Sequence, residues 1–222
     1  MKNDGRNKTL GYFALLYGII LFFLLFENLF WYIHNPDYPG WGFIYMFTNQ
    51  ANLIMMSWLL LFGFSHFLGR PSRLMSFSSH PLVVSAVTLY ISIVFLVVLF
   101  ILFPFYKAKF ADHLINDGVM LFTHFLSIAV AFTFFFFIRT GSVKRTWLSA
   151  VFLLIYPLSF LILNFIIGFT VGKFAYDFIN PTAYSHIGLY VFAMVSLAAA
   201  FWFLGFLILL LQRHINKQLA KK

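Results

Sequence analysis

Six stretches of this chain are apolar over enough consecutive residues to cross a bilayer, and turn-forming residues lie between them. At 1.5 Å per helical residue, about 20 residues cover the roughly 30 Å of hydrocarbon. The runs fall at 10–33, 43–68, 82–103, 119–138, 147–171 and 187–211. Between them lie Asn35-Pro36-Asp37, Gly69-Arg70-Pro71, Pro104, Asn116-Asp117-Gly118, Thr140-Gly141-Ser142 and Asn180-Pro181, all turn chemistry. In lipid a backbone must satisfy its own polar groups, so six such runs predict an all-α, polytopic helical bundle. The whole of 1–222 reads as one six-span transmembrane domain. Segments of about ten residues with alternating polarity, the mark of a membrane barrel, are absent.

Composition agrees. Of 222 residues, 62% are hydrophobic, 9% are charged and 33 are Phe, more apolar surface than a soluble domain of this size can hide. Phe134–Phe137 reads as lipid-facing bulk. The chain has no Cys, which excludes disulfides, thiolate catalysis and zinc–thiolate sites. The first run follows Lys2, Arg6 and Lys8 as a secretory leader would. It is longer than a leader's apolar region, no small-residue cleavage site follows it, and it reads as a retained span.

Counting Lys and Arg by side orients the bundle. The amino-terminal segment, the second and fourth connections and the carboxy-terminal tail hold twelve, against Lys107, Lys109 and Lys173 on the other side. The positive-inside rule then places both termini in the cytoplasm, the setting of a multi-pass protein of a bacterial cytoplasmic membrane. The outer connections hold Asp37, Asp112, Asp117 and Asp177. The net charge of +9 is thereby explained by a basic inner face meeting anionic lipid, with no nucleic-acid partner needed.

Depth now singles out a few residues. Thr48, Asn49, Gln50 and Asn52 lie early in the second run, Glu27 late in the first, His124 early in the fourth and Asn164 late in the fifth. Thr48, Glu27, His124 and Asn164 sit about five to seven residues below the outer edge, so four spans place polar groups in one layer of the outer third. A carboxyl within a span is costly enough that Glu27 points to function, whereas Asn49, Asn52 and Asn164 also suit interhelical packing. At helical spacing Thr48, Asn52 and Met55 share a face, as do Asp117, His124, Ser127 and Ala131. If those faces meet, Thr48 is a nucleophile with His124 as its base, and an amide serves as oxyanion donor. A pocket at that depth suits a lipid ester lying just under the headgroups, and the reaction would be acyl-ester hydrolysis. Two other readings stay open: a proton-linked transporter using Glu27 and His124, and a non-catalytic membrane protein with a polar pocket. Six of the seven His residues lie near span ends or in connections, so no metal is expected, and no cofactor motif is present. Pro157 inside the fifth run predicts a kink.

Several of these segments together resemble a known family. They are Phe47-Thr48-Asn49-Gln50-Ala51-Asn52-Leu53, His124, Tyr156-Pro157-Leu158, and Gly168 and Gly172 leading into Phe174-Ala175-Tyr176-Asp177-Phe178-Ile179. The chain is similar through spans two to six to the bacterial six-span "Pr-six-Pr" membrane proteins. Those are related to the vertebrate androgen-induced-gene proteins and the androgen-dependent regulator of tissue-factor-pathway inhibitor. The resemblance implies an intramembrane Thr hydrolase of fatty-acid esters of hydroxy fatty acids, with Thr48 as nucleophile and His124 as the essential histidine. The chain departs from the bacterial pattern in having Ser127 where Pro is common, Thr133 where an acid is, and Ile167 where Arg is. Phe174 to Phe178 stands in place of Tyr-Pro-Tyr-Pro-Phe.

Overall fold

The computed structural model describes residues 4–35, 42–67, 73–104, 118–138, 140, 141, 143 and 145–220. Asp37, Arg70, Lys107, Lys109, Asp112, Asp117, Arg139 and Lys144, used above in turns, faces or charge counts, lie outside them. The described residues are helical apart from short connections, and no strand occurs among them.

Helix α1 is Asp4–His34, and after a short turn at Gly42–Tyr45 comes α2, Phe47–Phe67. A six-residue helix, Arg73–Ser78, leads into α3, Pro81–Leu102, whose last turn from Val98 is π-helical. Helix α4 starts at Gly118–Met120, passes through a π-helical turn at Leu121–Leu126 and ends as Ser127–Phe137. Helix α5 is Thr146–Val171 and α6 is Ile187–Ala220. Lys8–His34, Pro81–Leu102, Thr146–Val171 and Ile187–Gln218 are long and apolar enough to cross a membrane, and Leu121–Phe137 is a shorter apolar helix. The chain is therefore a multi-pass helical membrane protein. Helix α2 falls outside that group because polar residues fill its first turns.

The expected kink is present. Pro157 has no N–H to give the carbonyl of Leu153, and α5 breaks into Thr146–Leu153 and Ile155–Val171 at Leu154. Glycines set the closest helix crossing. A β-carbon on Gly63 would lie 2.5 Å from Leu15 Cγ and 2.9 Å from the Gly11 carbonyl oxygen, so α1 and α2 meet backbone to backbone. Beside that crossing, Trp58 and Phe62 of α2 receive Phe134 edge-on. Phe134 and Phe135 are thus core residues, and only Phe136 and Phe137 of that run are exposed. One face of a helix at 100° per residue cannot hold four consecutive side chains.

Hydrogen bonds fix which helix ends lie together. Gln212 of α6 donates to the Pro81 carbonyl at the start of α3. Asn216 donates to Thr140 and Gly141, before α5. A β-carbon on Gly11 of α1 would meet His66 near the end of α2. One end of the bundle therefore holds the described Lys8, Arg73, Arg145, Arg213 and Lys217, and the other holds the start of α2 with Thr48.

Candidate functional site

The start of α2 carries four adjacent polar side chains, and the fold disposes of three of them within the backbone. Asn49, 4% exposed, donates to the Phe43 carbonyl at 3.0 Å and accepts from Asn28 of α1 at 3.0 Å. Gln50 donates to the Ile44 carbonyl at 2.6 Å. These bonds occupy carbonyls that the short Gly42–Tyr45 turn leaves open, as helix ends require. Asn52, fully buried, donates from one nitrogen to the carbonyls of Thr48 and Thr123, at 2.9 and 3.0 Å. Its carbonyl oxygen accepts from Ser127 at 2.8 Å, and Ser127 also meets the Tyr17 hydroxyl. This knot joins α1, α2 and the π-helical turn of α4, where the i→i+5 pattern leaves the Thr123 carbonyl facing α2.

Thr48 is different: its side chain lines a cavity between α2, α3, α5 and α6. Apart from Thr48 and Tyr176 the lining is apolar, including Val94, Pro157, Leu161 and Phe201. The space is narrow, about 60 Å³, against the roughly 10–15 Å³ that one water needs. At its polar end the Tyr176 phenol lies beside the Thr48 side chain and the Phe47 and Thr48 backbone at the start of α2. Burial raises the pKa of Tyr176 above its ordinary value, and the nearby Thr48 hydroxyl and the backbone of Thr48 and Phe47 offset this in part. The phenol therefore stays neutral and able to donate at neutral pH.

Tyr176 comes from the loop after α5, and local chemistry folds that loop back. Gly172 ends α5 at φ +75°, the left-handed conformation glycine adopts without a β-carbon clash. Gly168 receives the Phe174 ring so closely that a β-carbon would lie 2.3 Å from it. Asn164, fully buried, accepts the Ala175 N–H at 3.2 Å and donates to the Phe160 carbonyl. Tyr45, just before α2, donates to the Lys173 carbonyl. Phe47 stacks on Tyr156 at 5.2 Å and meets Phe160 edge-on at 5.0 Å, fixing the entrance to α2 against α5.

His124 lines a different cavity, of about 360 Å³, together with Glu27, Asn28 and Thr123. Its Nδ1 lies 3.1 Å from the Met120 carbonyl and 3.0 Å from Thr123 Oγ1. The carbonyl can only accept, which assigns the proton to Nδ1 and leaves Nε2 as the basic nitrogen. Glu27 is exposed on the face of α1. The fold thus brings His124 to Glu27 and Thr48 to Tyr176. The Thr48 and Thr123 carbonyls share the Asn52 amide and lie within about 6 Å of each other, yet the Thr48 and His124 side chains enter separate cavities. Among the described residues no group of three His, Asp or Glu is placed to hold a metal.

Sequence reasoning missed Tyr176 as a partner of Thr48. The signal that leads to it is Asn164, Gly168 and Gly172 at four-residue spacing, which is one face of α5 ending in a reversal. No family model, no curated protein and no solved structure matches the chain.

Proposed function

We propose that this chain is a six-span protein of a bacterial cytoplasmic membrane that hydrolyses fatty-acid esters with Thr48 as nucleophile. The observation that carries the reading is the one polar side chain at the start of α2 that is not used for packing. Thr48 faces a narrow apolar cavity that it shares with the Tyr176 phenol. An acyl chain suits that lining, and its ester would stop beside Thr48 at the start of α2, with the Tyr176 phenol near the developing oxyanion. Both termini are cytoplasmic in this reading, supported by Lys8, Arg73, Arg145, Arg213 and Lys217 at the end away from Thr48, against Lys173 at the Thr48 end. His124 is the base, and the reading requires its imidazole to turn out of its own cavity toward Thr48 when substrate binds. The resemblance noted above, covering Thr48 and His124, favours the same pair.

The test uses purified protein in lipid nanodiscs with a long-chain hydroxy-fatty-acid ester. Fatty-acid release is expected to fall at least a hundredfold in Thr48→Ala and in His124→Ala, and to survive in part in Thr48→Ser. Undiminished release in Thr48→Ala would overturn the assignment.

A second reading rests on its own observation: Glu27 and His124 line one cavity. A carboxyl and an imidazole there suit proton-linked transport. Proton-driven uptake into proteoliposomes that Glu27→Gln abolishes, without esterase activity, would favour it.

A further inference from the structure

The basic end of the bundle holds a cavity that neither reading of function uses. It measures about 120 Å³ and is lined by Lys8 and Tyr12 of α1 and by His66 and Phe67 of α2. The backbone contact of α1 with α2 at Gly11 and Gly63 lies beside it and holds these four residues around one gap.

His66 has no role so far, although it is a titratable side chain only 7% exposed. Its ring packs on Phe62 with centroids 4.0 Å apart. Nδ1 lies 2.9 Å from the Phe62 carbonyl, which can only accept, so the proton sits on Nδ1 and Nε2 keeps a lone pair. Nε2 has no partner among the described residues, and Ser85 Oγ is the only unpaired side-chain atom sealed from the surface among them. Nε2 is therefore an acceptor that reaches the surface where His66 lines the cavity. Tyr12 makes no hydrogen bond among the described residues, and its ring meets Phe67 edge-on at 6.2 Å. The cavity thus combines an ammonium, a hydroxyl donor and a neutral acceptor.

What surrounds the cavity is apolar. Tyr12, Leu16, Ile19 and Phe23 are exposed at helical spacing, a stripe running from the cavity along a helix long enough to span a membrane. A ligand seated here has a polar head in the cavity and apolar chains on that stripe.

We propose that this cavity binds the head of one anionic phospholipid that carries a hydroxyl beyond its phosphate, as a glycerol head does. The phosphate meets the Lys8 ammonium and the Tyr12 hydroxyl, and the head hydroxyl donates to His66 Nε2. The volume is roughly that of eight to ten waters, which suits a phosphate with a short polyol. A choline head brings a cation toward Lys8 and no donor toward Nε2. A soluble phosphate ester would leave the apolar stripe unused. The site is separate from Thr48 chemistry and does not depend on which side of the membrane this end faces.

The full chain, purified in detergent, is titrated with phosphatidylglycerol, phosphatidylmethanol and phosphatidylcholine of equal chains, and bound lipid is counted by native mass spectrometry. One phosphatidylglycerol is expected to be retained at concentrations at least tenfold below phosphatidylcholine. Phosphatidylmethanol has the same charge and no head hydroxyl, and should bind at least threefold more weakly than phosphatidylglycerol. That comparison tests the His66 acceptor without altering a buried residue. Lys8→Gln and Tyr12→Phe, both at exposed positions, should weaken retention at least fivefold and threefold. Lys217→Gln removes one charge from the same end and should change it less than twofold. Equal losses in Lys8→Gln and Lys217→Gln would reduce the effect to a general basic face and overturn the proposal. So would equal retention of phosphatidylglycerol and phosphatidylmethanol, or displacement of the lipid by millimolar glycerol phosphate, which would mark a site for soluble phosphate esters.

Discussion

At the scale of single residues, the polar side chains at the start of α2 divide into those that hold the bundle and one, Thr48, that faces a cavity. Asn52 is the strongest of the holders, since its loss leaves the Thr123 carbonyl and Ser127 without their α2 partner. Asn52→Leu is expected to cost about 1–3 kcal/mol, read as a lower midpoint for unfolding in detergent, because buried polar groups are left unpaired. Thr48→Val, by contrast, removes one cavity-facing hydroxyl and should lower stability by less than about 1 kcal/mol while removing activity. Ser85 behaves oppositely. Its hydroxyl is buried with no hydrogen-bond partner among the described residues, and the Pro81 carbonyl one turn back already accepts from Gln212. Ser85→Ala should leave the unfolding midpoint unchanged or raise it, since it deletes a desolvated hydroxyl that gains nothing.

At the scale of elements, rotation about the helix axis matters more than depth. Counting residues from each span edge placed Glu27, Thr48, His124 and Asn164 in one layer, and all four do lie at the Thr48 end of the bundle. Depth follows from a fixed rise per residue. The direction a side chain points depends on irregularities the sequence does not announce. The π-helical turn at Leu121–Leu126 breaks the 3.6-residue periodicity that put His124 and Ser127 on one face. In the structure Ser127 bonds Asn52 while His124 joins Glu27 in another cavity. The apolar runs, the turn residues and the Pro157 break were legible because each is a local property. The Tyr176–Thr48 contact was not, because it depends on a loop reversal held by Asn164, Gly168 and Gly172 together. Gly172→Ala should cost about 1–2 kcal/mol, since a β-carbon disfavours the left-handed backbone there. Gly168→Ala should act mainly on function: it displaces the Phe174 ring, and ester turnover should drop at least tenfold. Circular dichroism of that variant should still report an intact helical fold.

At the scale of the whole molecule, the described Lys8, Arg73, Arg145, Arg213 and Lys217 gather at the end of the bundle away from Thr48, and Lys173 lies at the Thr48 end. Reporter fusions should read both termini as cytoplasmic: a carboxy-terminal alkaline phosphatase inactive and a fluorescent protein bright. An active phosphatase fusion would invert the bundle and put the Thr48 cavity in the inner leaflet.

The contact between Tyr45 and Lys173 joins positions 128 residues apart, and Tyr176 reaches Thr48 across a similar separation. A nascent chain therefore delivers Thr48 to the bilayer long before the loop that covers it has been made. At about 5–20 residues per second that interval is on the order of ten seconds. Throughout it Thr48 lacks both the phenol and the walls supplied by α5 and α6. The chemistry proposed for this protein is switched on by the completion of its own synthesis, and a ribosome stalled before α5 would leave an inert fragment in the membrane.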